Sequence, residues 1–105
     1  DLWLVPFWWE KLMQDPLFRT AVKTRWFQLR NTIFDEDVLL SQIDDQVSFL
    51  KAQGAIDRNF NRWKIIGVGV AFNSFVGATY EEEVEYVKSW LSARLQWMDG
   101  QISDF

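Results

Sequence analysis

Apolar residues recur at helical spacing along the last third of the chain. One stripe advances in steps of mostly three and four residues and consists of Tyr80, Val84, Val87, Leu91, Leu95, Met98 and Ile102. A second stripe lies beside it and contains Tyr86, Trp90, Ala93 and Trp97. Glu81, Glu85 and Gln96 fall on the opposite, polar face. This pattern predicts an amphipathic helix over 79–99. Thr79 and Glu82 have the spacing of a capping box at its start.

Two earlier helices are predicted from the first third of the chain. Residues 6–14 predict a short first helix, and Asp15 and Pro16 follow it. Asp is a favoured N-cap, and Pro suits the first helical position because its missing N–H would be unpaired there. The apolar face that follows predicts a helix ending near Asn31 or Thr32.

Asp35 is the predicted cap of a third helix, with acidic residues in its first turn. Apolar spacing continues from there through Gly54 and shifts in phase before Trp63. We expect a long helix over about 36–63 whose weak point is Gly54, because glycine within a helix costs about 1 kcal/mol relative to alanine. A break near Gly54 that gives two helices is the competing prediction.

Residues 64–78 have a different pattern. They are apolar, β-branched and interrupted by glycine, without helical periodicity. We interpret them as an extended connection packed on the helices, since a lone strand would have no partner. The predicted fold is therefore all-α, a small bundle of about four helices in a single domain over residues 1–105.

The composition excludes several functional classes. An apolar fraction of 49% with seven Trp and nine Phe is unlike a disordered chain. The net charge of −4 and the scattered Lys and Arg residues argue against nucleic-acid binding. No run of 18 apolar residues occurs, so no membrane span is predicted.

Candidate chemistry is sparse. The chain has no Cys and no His, which removes thiolate chemistry and the commonest general base. Gly67 and Gly69 do not complete a G-x-G-x-x-G phosphate loop, because position 72 is Phe. The acidic clusters at 35–37 and 81–83 stand at helix starts, where the helix dipole explains them. We expect no catalytic residue, cofactor or metal site in this chain.

Arginine and tryptophan occur together along the sequence, and these residues are the candidate site. Its members are Arg25, Trp26, Arg58, Trp63, Trp90, Arg94 and Trp97. Guanidinium groups stack on indoles and pair with carboxylates, so a structural role between helices is predicted, with Asp44 or Asp57 as partners. Recognition of a phosphate or another anion by the arginines is the alternative.

Some tryptophans are expected to project from the bundle. Trp8 and Trp9 are adjacent, so they cannot both face inward from one helix, and Trp3 precedes the first helix. An exposed Trp-rich surface could pack against the remainder of a larger protein. It could also belong to an independent helical module that docks a protein or a glycan.

Several stretches, taken in order, resemble the C-terminal helical segment of the spore coat protein H (CotH) kinase-like family. They are residues 6–12, residues 15–18, Arg25-Trp26 with Leu29-Arg30, residues 58–63 and residues 79–99, the last with Trp90, Arg94 and Trp97. The resemblance covers nearly the whole chain, and residues 64–75 fit it less well.

The resemblance implies a kinase-like parent protein that phosphorylates a protein substrate with ATP and Mg²⁺, in a spore coat or as a secreted surface protein. Phosphoryl transfer needs a phosphate-covering loop, a phosphate-pairing Lys, metal-binding residues and a base. The chain contains neither H-R-D nor D-F-G. It begins at Asp1 without Met, so we expect a C-terminal fragment whose partner is the upstream remainder. The fragment would be a helical scaffold, inactive alone.

Overall fold

The computed structural model describes residues 7–105, and within them the fold is all-α. The expectations for Trp3 and Pro6 lie outside the described residues. Five helices and no strand occur in this range. The helices are α1 (Phe7–Gln14), α2 (Pro16–Arg30), α3 (Glu36–Ala52), α4 (Ala55–Arg62) and α5 (Tyr80–Ser103). The all-α prediction is confirmed, with one helix more than expected.

The three predicted N-caps are confirmed. Asp15 Oδ1 accepts the Leu17 N–H at 2.8 Å, and Asp35 Oδ1 accepts the Val38 N–H at 3.1 Å. At α5 the Thr79 hydroxyl accepts a backbone N–H at 3.1 Å. Each side chain satisfies an amide that has no partner within its own helix.

The capping box predicted at α5 is only half formed. Glu82 does not return a bond to Thr79; its carboxylate instead accepts the Ala78 N–H at 2.8 Å. Glu83 accepts the Gly77 N–H at 2.7 Å. Both carboxylates therefore hold the end of the preceding loop against the positive end of the helix dipole.

The prediction of one continuous helix over 36–63 is wrong, and the competing prediction of a break near Gly54 is right. α3 ends at Ala52, and Gly54 has φ +63° and ψ 18°, in the left-handed region. A residue without Cβ adopts this conformation at little cost, which is why glycine commonly follows a helix C-terminus. The Gly54 N–H donates to the Lys51 carbonyl at 2.9 Å and closes the turn.

Gly54→Ala should therefore destabilise the fold by about 1–2 kcal/mol, because alanine is strained in the left-handed region. The new methyl group would also lie 3.2 Å from a terminal nitrogen of Arg58. Urea denaturation measures this cost. Gly100→Ala is the matched control, since it lies within α5 and a Cβ there meets no heavy atom within 4 Å. A Gly54→Ala protein as stable as the Gly100→Ala protein would contradict this account of the break.

The connection over 64–78 is irregular. It turns at 66–67 and 71–72, and Gly67 and Phe72 have positive φ values of 76° and 72°. Its second half lies on α5, where the Phe75 ring stacks on Tyr86 with centroids 4.3 Å apart. Ser74 and Tyr86 are joined by a hydrogen bond of 3.1 Å between their hydroxyls. Gly67 lies in the first of the two turns, and no helix begins directly after Gly69, as a phosphate loop would require.

α5 is the central helix of the described fold. It contacts both α2 and α3, while α1 packs on α2 and α4 packs on α3. The two buried apolar side chains in the described residues both belong to α5: Leu95 at 5% exposure and Ile102 at 8%. The interior shared by the helix pairs is consequently small.

The molecule is less compact than a typical domain of the same length. Its radius of gyration is 18.4 Å, where a compact domain of this size would have about 13 Å. Its accessible surface is 8314 Å², against about 6,200 Å² expected for a monomeric protein of 12.5 kDa. Many large apolar side chains thus remain in contact with solvent.

Candidate functional site

The strongest polar contact between helices is centred on Asp99 of α5. Trp26 donates its indole N–H to Asp99 Oδ1 at 2.7 Å. The Arg30 guanidinium Nε lies 3.0 and 3.1 Å from the two oxygens of the same carboxylate. The Arg30 side chain is only 16% exposed and Asp99 is 30% exposed, so the pair is partly shielded from water. We call Trp26, Arg30 and Asp99 the Asp99 clasp.

The clasp also orders the end of α2. Arg30 donates a second hydrogen bond to the Phe34 carbonyl in the turn before α3. The Trp26 and Phe34 rings lie 5.9 Å apart and are tilted by 52°. Lys23, one turn before Trp26, donates to the Ser103 carbonyl at the end of α5. One face of α2 therefore bonds to the last turns of α5 and to the turn that follows α2 itself.

Of the seven predicted site residues, Trp26 is the one whose side chain bonds to another helix within residues 7–105. Arg58 is exposed and donates to the nearby Gln53 carbonyl at 2.7 Å. Trp63 is exposed, with the Arg62 guanidinium 5.3 Å from its ring centroid. Arg25 is exposed as well. The predicted structural role of this set stays a prediction.

The remaining three predicted residues lie on the outside of α5. Trp90 is 56% exposed and Trp97 is 53% exposed. The Arg94 guanidinium stacks on the Trp97 ring at 4.4 Å from its centroid. Within residues 7–105, no other two members of the predicted set of seven contact each other through a ring, a cation–π stack or a hydrogen bond. We call Tyr86, Trp90, Arg94 and Trp97 the outer stripe.

Trp8 and Trp9 behave partly as expected. Both are exposed, and their rings stack on each other with centroids 4.8 Å apart. Trp9 also makes an edge contact with Phe18 of α2 at 6.5 Å. The pair thus adds an aromatic surface at the α1 end of the molecule.

Asp44 pairs with lysine, whereas an arginine partner was predicted. Lys88 of α5 lies 2.9 and 3.1 Å from its two oxygens and also approaches Glu85 at 3.7 Å. The hydrogen bond to Asp44 raises the pKa of Lys88 above its usual value of 10.5, and Glu85 adds to the effect. Asp57 has no ion-pair partner within residues 7–105.

A second exposed ion pair joins α3 to the start of α5. Lys51 Nζ lies 2.8 Å from Glu81 Oε1. Their hydrogen bond raises the pKa of Lys51 and lowers the pKa of Glu81. Each group keeps its charge over a wider pH range, so the pair stays ionised at neutral pH. Exposed pairs of this kind contribute little to stability.

Two hollows adjoin these contacts. A groove of about 490 Å³ runs between α3 and α5, and its walls are mainly the apolar side chains Leu39, Ile43, Val47, Leu50, Val84, Val87 and Leu91. A more polar hollow of about 440 Å³ lies beside the Lys51–Glu81 pair and includes Asp57 and Asn61. The Lys51–Glu81 pair is not an activated nucleophile, because the ion pair raises the pKa of Lys51, whereas a nucleophilic lysine needs a lowered pKa.

The described range, residues 7–105, lacks both a metal-binding cluster of acidic side chains and a membrane-spanning helix. No three acidic side chains in that range come close enough together to hold a metal ion. No helix there is both long enough and apolar enough to cross a membrane.

Sequence reasoning missed the Asp99 clasp. Arg30 lies four residues after Trp26, so the two share one face of α2. Asp99 lies four residues after Leu95 on the inward side of α5, where a carboxylate interrupts apolar positions. The sequence shows both positions, but it does not show that these faces of α2 and α5 pack together.

These features define an all-helical segment with an exposed aromatic surface, and its described residues contain no assembled catalytic group. The sequence matches the CotH kinase protein family over residues 2–98. The chain therefore belongs to the CotH kinase protein family, and the resemblance drawn from its motifs is confirmed. No curated protein and no solved structure matches the chain.

Proposed function

We propose that this chain is the helical support of a CotH kinase-like domain, and that residues outside it carry out phosphoryl transfer. ATP and Mg²⁺ would then be cofactors of the complete protein, and a protein would be its substrate. Family membership supports the kinase-like part of this proposal. The support role rests on the distribution of apolar side chains around α5.

The observation that carries the support role is the width of the apolar surface of α5. Successive residues of an α-helix are rotated by about 100°, so positions can be placed around the axis. Leu95 and Ile102 point toward the interior, and Trp90 and Trp97 point away from it. Together with their neighbours these side chains cover roughly 200° of the circumference, which is wider than the apolar stripe of a helix that packs on one side only.

Only half of that surface is covered by the described residues. α2 and α3 pack on the inward side of α5, and Phe75 stacks on Tyr86 at one end of the outer stripe. The rest of the stripe, Trp90, Arg94 and Trp97, faces solvent. Contiguous apolar patches of this kind mark interaction surfaces in soluble proteins. The other part of the kinase-like domain is the partner that family membership supports.

The alternative function is an independent module that docks a protein or a glycan through its tryptophans. A ligand groove would combine apolar walls with a few convergent polar groups. In the outer stripe the one charged group is Arg94, and it lies over its own neighbour Trp97. The arrangement therefore favours a packing surface over a ligand groove.

Titration calorimetry with Mg-ATP tests the proposed function. We expect no binding by the 105-residue chain at micromolar concentrations, because it contains neither H-R-D nor D-F-G and no complete G-x-G-x-x-G loop. The complete protein should bind Mg-ATP under the same conditions. Micromolar binding by the chain alone would contradict the support role, and absence of binding by the complete protein would contradict the kinase-like function.

A further inference from the structure

We propose that the outer stripe is covered by a segment of the same polypeptide that carries an Asp or Glu, and that this carboxylate pairs with Arg94. This inference rests on the support role proposed above and adds the chemistry of the covering segment.

Arg94 differs from the cations that face other helices. Arg30 has Asp99, Lys88 has Asp44 and Lys51 has Glu81 as carboxylate partners. Arg94 makes no hydrogen bond and no ion pair with any residue from 7 to 105, and its described contact is the cation–π stack on Trp97. Its guanidinium group therefore retains its donors for another partner.

Covering the stripe changes the environment of that charge. Arg94 lies one turn after Trp90 on α5, about 40° from it around the axis, and its guanidinium lies over the Trp97 ring. An element that covers the two indoles therefore also removes the guanidinium from water. A buried charge is strongly unfavourable unless it is paired and hydrogen-bonded. The covering segment must therefore supply an acceptor with negative charge, and a carboxylate matches the planar donors of arginine in a bidentate geometry.

The same stack sets the orientation of the pair. The Trp97 ring supports one flat side of the guanidinium at 4.4 Å from its centroid, leaving the edge with its N–H groups open. A carboxylate would approach in the plane of the guanidinium, alongside apolar side chains that lie on Trp90. The covering segment would thus combine apolar residues with one acidic residue.

The experiment uses the complete protein that contains this chain and compares Arg94→Gln with Arg94→Lys. Loss of the charge should lower the melting temperature of this larger protein by roughly 6–12 °C, because the partner carboxylate is left buried and unpaired. Arg94→Lys should recover part of that loss, since lysine keeps the charge without the planar fork. Arg62→Gln is the matched control, because Arg62 also stacks on a neighbouring exposed indole.

A photo-crosslink identifies the covering segment. p-Benzoylphenylalanine replaces Trp90, and mass spectrometry maps the product. We expect a link within one polypeptide to a segment that contains Asp or Glu at the contact. A link within one polypeptide to a segment lacking both, or equal melting of the Arg94→Gln and Arg62→Gln proteins, would overturn the carboxylate inference alone. A link between two copies, or none, would overturn the support role as well.

Discussion

Asp99→Ala should lower the free energy of unfolding of this chain by about 2–3 kcal/mol, because it leaves a guanidinium and an indole N–H without their acceptor. Both donors lie at the α2–α5 interface, where Trp26 bonds Asp99 at 2.7 Å and Arg30 bonds it at 3.0 and 3.1 Å. The contribution exceeds that of an ordinary surface ion pair because the Arg30 side chain is only 16% exposed.

Asp99→Asn removes the negative charge but keeps an oxygen that can accept a hydrogen bond. An asparagine oxygen can still accept the Trp26 N–H, but it no longer neutralises Arg30. We expect a loss intermediate between the native protein and Asp99→Ala, measured by urea denaturation. Asp45→Ala is the control, since this aspartate is exposed within α3 and makes no ion pair with residues 7–105. Equal stability of the Asp99→Ala and Asp45→Ala proteins would show that the clasp contributes nothing.

Leu95→Ala should be the most destabilising apolar truncation, at about 3 kcal/mol. Leu95 is the most buried apolar side chain of the described residues, at 5% exposure, on the helix that α2 and α3 both contact. With so small an interior, few other side chains can compensate for the cavity. Removing its methyl groups should therefore weaken the packing of both helix pairs on α5.

Leu17→Ala provides a control with the same chemistry. Leu17 lies at the start of α2 and is 80% exposed, so its truncation should change the free energy of unfolding by less than about 0.5 kcal/mol. Urea denaturation of the two variants gives the comparison. If Leu17→Ala cost as much as Leu95→Ala, the assignment of the interior to α5 would be incorrect.

Local features of the fold could be predicted from the sequence because their causes are local. Asp15, Asp35 and Thr79 cap helices through amides two or three residues away. Gly54 marks the break because it takes a left-handed conformation that other residues avoid. The sequence alone could not decide between a bend and a break there, since apolar spacing continued on both sides.

The candidate site was harder to predict because its contacts join distant parts of the chain. Arg30 and Asp99 are 69 residues apart, and periodicity shows which face of each helix is apolar without showing which faces meet. Arg94 stands one turn from Trp90 and Trp97 in the sequence, and its guanidinium lies over the Trp97 ring. Its exposure depends on which neighbours cover that side of α5, and helical spacing carries no information about them.

Hydroxyl-radical footprinting of Trp90 and Trp97 tests the central claim most directly, because oxidation of an indole reports its contact with water. In the 105-residue chain both residues should be oxidised readily, as expected from exposures of 56% and 53%. In the complete CotH kinase-family protein both should be protected, while Leu95 and Ile102 stay protected in both. Equal oxidation of the two tryptophans in the chain and in the complete protein would contradict the claim that α5 is covered on both sides.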